Sequence, residues 1–150
     1  MQETQDDLDR IQEVLDRTYA AAGRHLLDVI PPERRLDAAS LVARLDGMRL
    51  LVLATVTADG RPIAGPVDGI FYRGAFHFGS APDSFRFRHI RRRPAVSATH
   101  LDGEQFSVTV HGNAHPIDIG DPELVFNGPA IPEIYTPRYG AEWETFLDSG

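Results

Sequence analysis

Cysteine is absent from the 150-residue chain, which excludes disulfides, thiolate metal sites and a cysteine nucleophile. Lysine is absent too: all 15 basic residues are arginine. No lysine Schiff base can form, and the usual covalent tether for pyridoxal phosphate is missing. An anionic ligand must therefore be held by guanidinium, hydroxyl or backbone N–H groups. No apolar run approaches the ~20 residues of a membrane span, and the acidic start MQETQDDLDR does not read as a signal peptide. The expectation is a cytoplasmic protein with no membrane contact. An excess of positive charge is also lacking. The formal net charge of −7 argues against a general nucleic-acid partner, because phosphate backbones reward the opposite sign.

What is present is an ordinary globular composition, 42% hydrophobic and 25% charged, in a chain long enough to bury a core. Leu8, Ile11, Leu15, Tyr19, Ala22 and Leu26 recur at helical spacing. Pro31-Pro32 breaks that pattern, and a second helix is predicted over about 33–45, stopping at Gly47. From Leu50 the period changes to that of strands. Leu50 to Thr57 leads into the hairpin signal Asp59-Gly60, then a strand over about 61–72, the turn Arg73-Gly74 and a strand over 75–79. Residues 95–101 and 105–111 form a further hairpin around Asp102-Gly103, with Phe106, Val108 and Val110 predicted to face inward. The predicted class is mainly β: an antiparallel split β-barrel with flanking helices. An N-terminal helical extension over 1–47 packs on a barrel domain over 48–150. Leu50 to Ala54 is apolar on both faces, so its outer face needs a helix or a second subunit over it. The tail carries Pro129, Pro132 and Pro137 and a helical piece near Glu142–Leu147, and Tyr139 and Trp143 are expected to pack it onto the barrel. The chain is expected to stop short of the strand that would close a barrel.

Two places carry chemistry. In GSAPDSFRFRHIRRRP, residues 79–94, a strand ends and a helix starts within Ser80–Ser84, where serine and aspartate cap well and Pro82 suits a first turn. A helix start offers unpaired amides and positive dipole to an anion. Ser80 and Ser84 add hydroxyls, and Arg86 or Arg88 can reach back with a two-pronged donor. The plainer reading is a capped amphipathic helix with solvated arginines. The second place is Gly65-Pro66 in mid-strand, where a flat group could approach backbone that lacks a β-carbon. A bulge or an edge position explains the same pair.

Taken in order, LATVTADGRPIAGPV, FHFGSAPDSFRFRHIRRRPAVSA and FSVTVHGNAHPID resemble the pyridoxamine 5′-phosphate oxidase-like family of FMN-binding split barrels, over about Leu50 to Asp118. The resemblance implies a homodimer with cofactor between subunits, and hydride transfer to or from a small-molecule substrate with FMN or a deazaflavin coenzyme; some relatives bind haem. Ser80 matches a hydroxyl contacting the flavin phosphate. Ser84 and Arg86 match a Ser-Arg-Lys phosphate grip in which Phe85 replaces the arginine and Arg86 the lysine, with Arg88 placed to compensate. Arg61 lies near a phosphate- and ring-side arginine. Pro66, Val67 and Asp68 match the strand whose backbone lines the flavin ring, and Ser107 stands where the oxidase carries a glutamine. The oxidase's C-terminal substrate-binding segment has no counterpart, so pyridoxamine phosphate oxidation itself is not expected. No catalytic side chain is implied.

Other chemistries fare worse. His77, His100, His111 and His115 could gather in a barrel, yet no acidic residue recurs at ligand spacing, so no metal site is expected. Arg91-Arg92-Arg93 reads as a solvated face favoured by the helix C-terminal dipole. No G-x-S-x-G elbow supports a serine hydrolase. A non-catalytic flavin- or haem-binding protein on the same fold is the alternative to an oxidoreductase.

Overall fold

The structure, a computed structural model, describes residues 3–117. The helical piece near Glu142–Leu147 and the packing of Tyr139 and Trp143 lie outside the described residues. The described chain forms two compact units. One holds the residues up to Asp46 together with Ile70–His77; the other holds Gly47–Gly69 and resumes at Phe78.

In the first unit, α1 (Gln5–Ala20) is started by a reciprocal cap. The Asp7 amide donates to Thr4 Oγ1 at 3.2 Å, while Thr4 N and Oγ1 both donate to Asp7 Oδ2 at 2.9 Å. Asp7 is only 3% exposed and also meets Arg10, with Arg73 Nε 3.9 Å away. These bonds, the Thr4 backbone amide foremost, hold its carboxyl below the ordinary carboxylate value. The apolar periodicity predicts one helix reaching Leu26, but the helix breaks at Ala21 and a short α2 (Arg24–Val29) restarts after Gly23. Glycine there favours the break by its low helix propensity.

Likewise the predicted helix over 33–45 divides. Pro32–Arg34 is a single tight turn, and α3 (Ala38–Arg44) starts only where the Asp37 carboxylate accepts from the Ser40 amide at 2.8 Å. Gln12 Oε1 accepts from the Ala38 amide at 2.9 Å and so ties α1 to the start of α3. Leu41 and Leu45 are buried as predicted, and Leu36 is half-buried.

The strands are β1 (Met48–Val56), β2 (Pro62–Tyr72), β3 (Ala75–Phe78), β4 (Ala95–Asp102) and β5 (Phe106–Asn113). They form one five-stranded sheet in the order β3-β2-β1-β4-β5. The mainly antiparallel class predicted from the sequence is therefore present. Arg73 and Gly74 both take positive φ, 49° and 85°, as a tight two-residue hairpin requires. A β-carbon on Gly74 would stand 3.2 Å from Ile11 Cγ1 of α1. The positive φ favours glycine there, and a β-carbon would also sit tightly against Ile11.

In the second unit β4 lies antiparallel to β1 with Val52 opposite Thr99 and Leu53 opposite Ala98. β5 continues the ladder, Ala98 opposite Val110 and Ser97 opposite His111. Leu51, Leu53, Thr55 and Ala98 are buried on the inner face. Leu50 and Val52, pointing outward, are 59% and 46% exposed, and Leu101 on the same face of β4 is 60% exposed. Phe106 is buried as predicted, but Val110 is 40% exposed, because β5 is the last strand of the sheet and has no further described strand to cover it.

Helix α4 (Phe85–Arg92) joins β3 to β4 and packs on β1. Its Ile90 is buried. The Thr55 hydroxyl, on a side chain 1% exposed, lies 3.0 Å from His89 Nδ1. Just past the helix, Arg93 Nε donates to the Val56 carbonyl at 2.9 Å. Two of the three consecutive arginines therefore do structural work that a solvated face does not predict. Arg91 is the second: it donates to the Pro82 carbonyl at 3.3 Å and lies over the Phe87 ring.

Candidate functional site

At the start of α4 three of the residues expected to hold a phosphate, Ser80, Ser84 and Arg86, come together. Ser84 is the N-cap: its Oγ accepts from the Phe87 amide at 3.2 Å, and its carbonyl accepts from Arg88 N at 3.1 Å. The Ser84 amide in turn donates to the Ala81 carbonyl at 2.9 Å, which closes the turn after β3 and delivers Ser80 to the cap. Ser80 Oγ donates to Ser84 Oγ at 3.1 Å and accepts from Arg86 Nη1 at 3.4 Å. The chain of donors runs from Arg86 to Ser80 to Ser84, so the Ser84 hydroxyl proton remains to point outward. The amides of Phe85 and Arg86 have no intrahelical partner by position.

Arg86 also joins the two places that carried chemistry in the sequence. Its Nη2 donates to the Pro66 carbonyl at 3.4 Å and stands 3.5 Å from where a β-carbon on Gly65 would lie. The flat group against the Gly65-Pro66 backbone is therefore this guanidinium. Proline is tolerated there because β3, with four residues, can pair with only part of the eleven-residue β2. Val67, 7% exposed, fills the inner face, while Asp68 is exposed on the opposite one.

The remaining predicted residues stand elsewhere. Arg61 is turned to the β1–β2 turn, where its Nε lies 2.8 Å from Asp59 Oδ2. The Thr57 hydroxyl, first among several contacts, holds the Asp59 carboxyl below its ordinary value. Arg88 is exposed on α4, and Ser107 is exposed on the outward face of β5 opposite Leu101. Phe85 is 50% exposed at the first position of α4, edge-on to His89 with ring centroids 5.6 Å apart.

Thr55 and His89, which the sequence reading passed over, tie β1 to the helix that begins at Ser84. The signal for Thr55 was a hydroxyl on the inner face of an otherwise apolar strand. The other histidines are dispersed. His111 Nδ1 lies 2.7 Å from Ser97 Oγ on the outer face, whereas His100, at the opposite parity in the register, places Nδ1 3.0 Å from the Leu50 carbonyl. Burial pushes the His77 pKa down, which keeps that ring neutral at pH 7. Among the described residues no three His, Asp or Glu side chains gather in an arrangement that could hold a metal ion, and no helix is long and apolar enough to cross a membrane.

The donor set of two serine hydroxyls, a helix start and one guanidinium is suited to a phosphate, and the guanidinium itself lies against the Gly65-Pro66 backbone. The family model for pyridoxamine 5′-phosphate oxidase matches residues 38–127, more than half of the chain and all of the strands described above. The chain belongs to that family. Solved structures that share the fold include these two. One is Atu2129 of Agrobacterium tumefaciens strain C58, described as of unknown function: TM-score 0.52, 23% identity over 71% of this chain and 47% of that one. The chain thus spans about half the length of that relative. The other is HutZ of Vibrio cholerae, described as a haem storage protein: TM-score 0.53, 17% identity over 77% of this chain and 80% of that one. No curated protein matches.

Proposed function

We propose that this family member binds FMN or a deazaflavin coenzyme and transfers hydride to or from a small molecule, working as a cytoplasmic homodimer. The observation that carries the reading is the convergence of Ser80, Ser84 and Arg86 on the Gly65-Pro66 backbone, in a chain of this family. Ser84, the first amides of α4 and Arg86 would hold the phosphate, and the β2 backbone from Pro66 to Asp68 would face the ring. The bound coenzyme supplies the hydride chemistry at its ring. The protein's share is to bind, to orient and to shield one ring face from water; no side-chain nucleophile is needed.

The exposed outer face of Leu50, Val52 and Leu101 supports the homodimer, since a second copy would cover an apolar patch that solvent otherwise meets. Titration of the full chain with FMN and separately with a deazaflavin, followed by reduction with a nicotinamide or a reduced deazaflavin and an artificial acceptor, tests the proposal. Saturable binding with turnover supports an oxidoreductase. Binding without redox change favours the alternative, a non-catalytic flavin- or haem-binding protein, for which the fold shared with HutZ is the supporting observation. An absorbance titration with haemin separates haem from flavin.

A further inference from the structure

The Arg86 guanidinium occupies ground that a flat ligand would need. Its Nη1 reaches Ser80 Oγ and its Nη2 the Pro66 carbonyl oxygen, both at 3.4 Å, and it lies against the Gly65 backbone at 3.5 Å from the β-carbon position. Both acceptors are neutral, and both distances are long for an N–H···O bond. A phosphate oxyanion offers the same donors charge-assisted bonds about twice as strong, in a geometry that matches the guanidinium fork. The first turn of α4, Phe85 to Phe87, carries no other cation, so the group that would meet a phosphate is also the group that covers β2.

We propose that Arg86 is a specificity-determining gate. It covers the Pro66 carbonyl until a phosphate at the start of α4 draws it away, so that a ring bearing a phosphate reaches β2 and the same ring without one is disfavoured. This inference rests on the flavin reading above. Phosphate binding and ring binding are then coupled through one side chain, and the coupling is reciprocal.

FMN and riboflavin, which share a ring and differ by the phosphate, are the probes, titrated against the full chain by flavin fluorescence. Thermal unfolding of each variant checks the fold. Arg86→Met keeps the aliphatic stem and removes the donors. Its FMN affinity should fall ~10–100-fold, while its riboflavin affinity should rise ~2–5-fold because one competing hydrogen bond is gone. In the unsubstituted protein, inorganic phosphate should strengthen riboflavin binding, and this effect should vanish in Arg86→Met. Arg86→Lys should keep part of the FMN affinity yet admit riboflavin, since a point charge cannot span both acceptors; it carries the test should Arg86→Met fail to fold. Riboflavin affinity that is unchanged or lower in these variants overturns the gate, while FMN binding by the unsubstituted protein leaves the flavin reading standing. Failure of the unsubstituted protein to bind either flavin overturns both.

Discussion

The Thr55 hydroxyl oxygen and His89 Nδ1 lie 3.0 Å apart, linking the buried face of β1 to the middle of α4. Five residues before His89 on the same chain sits Ser84, the cap of that helix, and three before it sits Arg86. The pair therefore fixes the rotation of α4 about its own axis, and with it the direction in which Ser84 and Arg86 project. Arg93, bonded to the Val56 carbonyl, fixes the other end.

Replacing Thr55 with Val keeps the shape and removes the hydroxyl, leaving His89 Nδ1 facing an apolar wall. Thr55→Val should lower stability by ~1–3 kcal/mol, whereas Thr55→Ser should recover most of it. Urea unfolding followed by circular dichroism reads both. Equal midpoints for Thr55→Val and the unsubstituted chain would show that the contact contributes nothing.

The phosphate grip is tested by the double substitution Ser84→Ala with Arg86→Ala. FMN affinity should drop by ~2–4 kcal/mol. The cap lost at Ser84 should cost about 0.5–2 kcal/mol of stability, which leaves the fold intact. Isothermal titration of FMN into both proteins gives the difference, and unchanged affinity would place the phosphate elsewhere.

Asp7 sets a pH dependence. Its carboxyl is held below the ordinary value by Thr4, with Arg10 adding to the effect, so the folded state binds the proton less readily than the unfolded chain. The stability it contributes is present above the unfolded carboxylate range, around pH 4, and is lost as pH falls through the lower folded value. Asp7→Asn should therefore be destabilising at pH 7, with the gap to the unsubstituted protein closing as the pH is lowered below 4. Thermal midpoints measured across that range check the sign; a gap independent of pH would contradict it.

Self-association through the outer sheet face predicts its own disruption. Leu50→Glu combined with Leu101→Glu places charge on two side chains that are each more than half exposed, so the fold should survive. Sedimentation velocity should show a dimer for the unsubstituted protein and a monomer for the variant. An unchanged dimer would move the interface to another surface.

Much of this was legible in the residues. The hairpin turns at Asp59-Gly60, Arg73-Gly74 and Asp102-Gly103 and the period-two strands mark all five strands to within two residues at most ends, because tight turns and alternation are local signals. Ser80, Ser84 and Arg86 were legible as a helix start with a reachable guanidinium. The helix break at Ala21 was not, since apolar spacing continues through Gly23 while backbone propensity does not. Neither was the contact of Arg86 with Pro66, which joins residues 20 apart in sequence through the packing of α4 on the sheet. The pairing of Arg61 with Asp59, two residues away, was not anticipated either, although both residues lie at the same hairpin turn.

The central claim is that this chain holds a flavin or deazaflavin at the start of α4. Absorbance and fluorescence spectra of the purified protein, recorded alone and after adding FMN or a deazaflavin, test it most directly. The account predicts a flavin-like band that co-purifies, or fluorescence that changes saturably on titration. A colourless protein whose spectra ignore both coenzymes would contradict it.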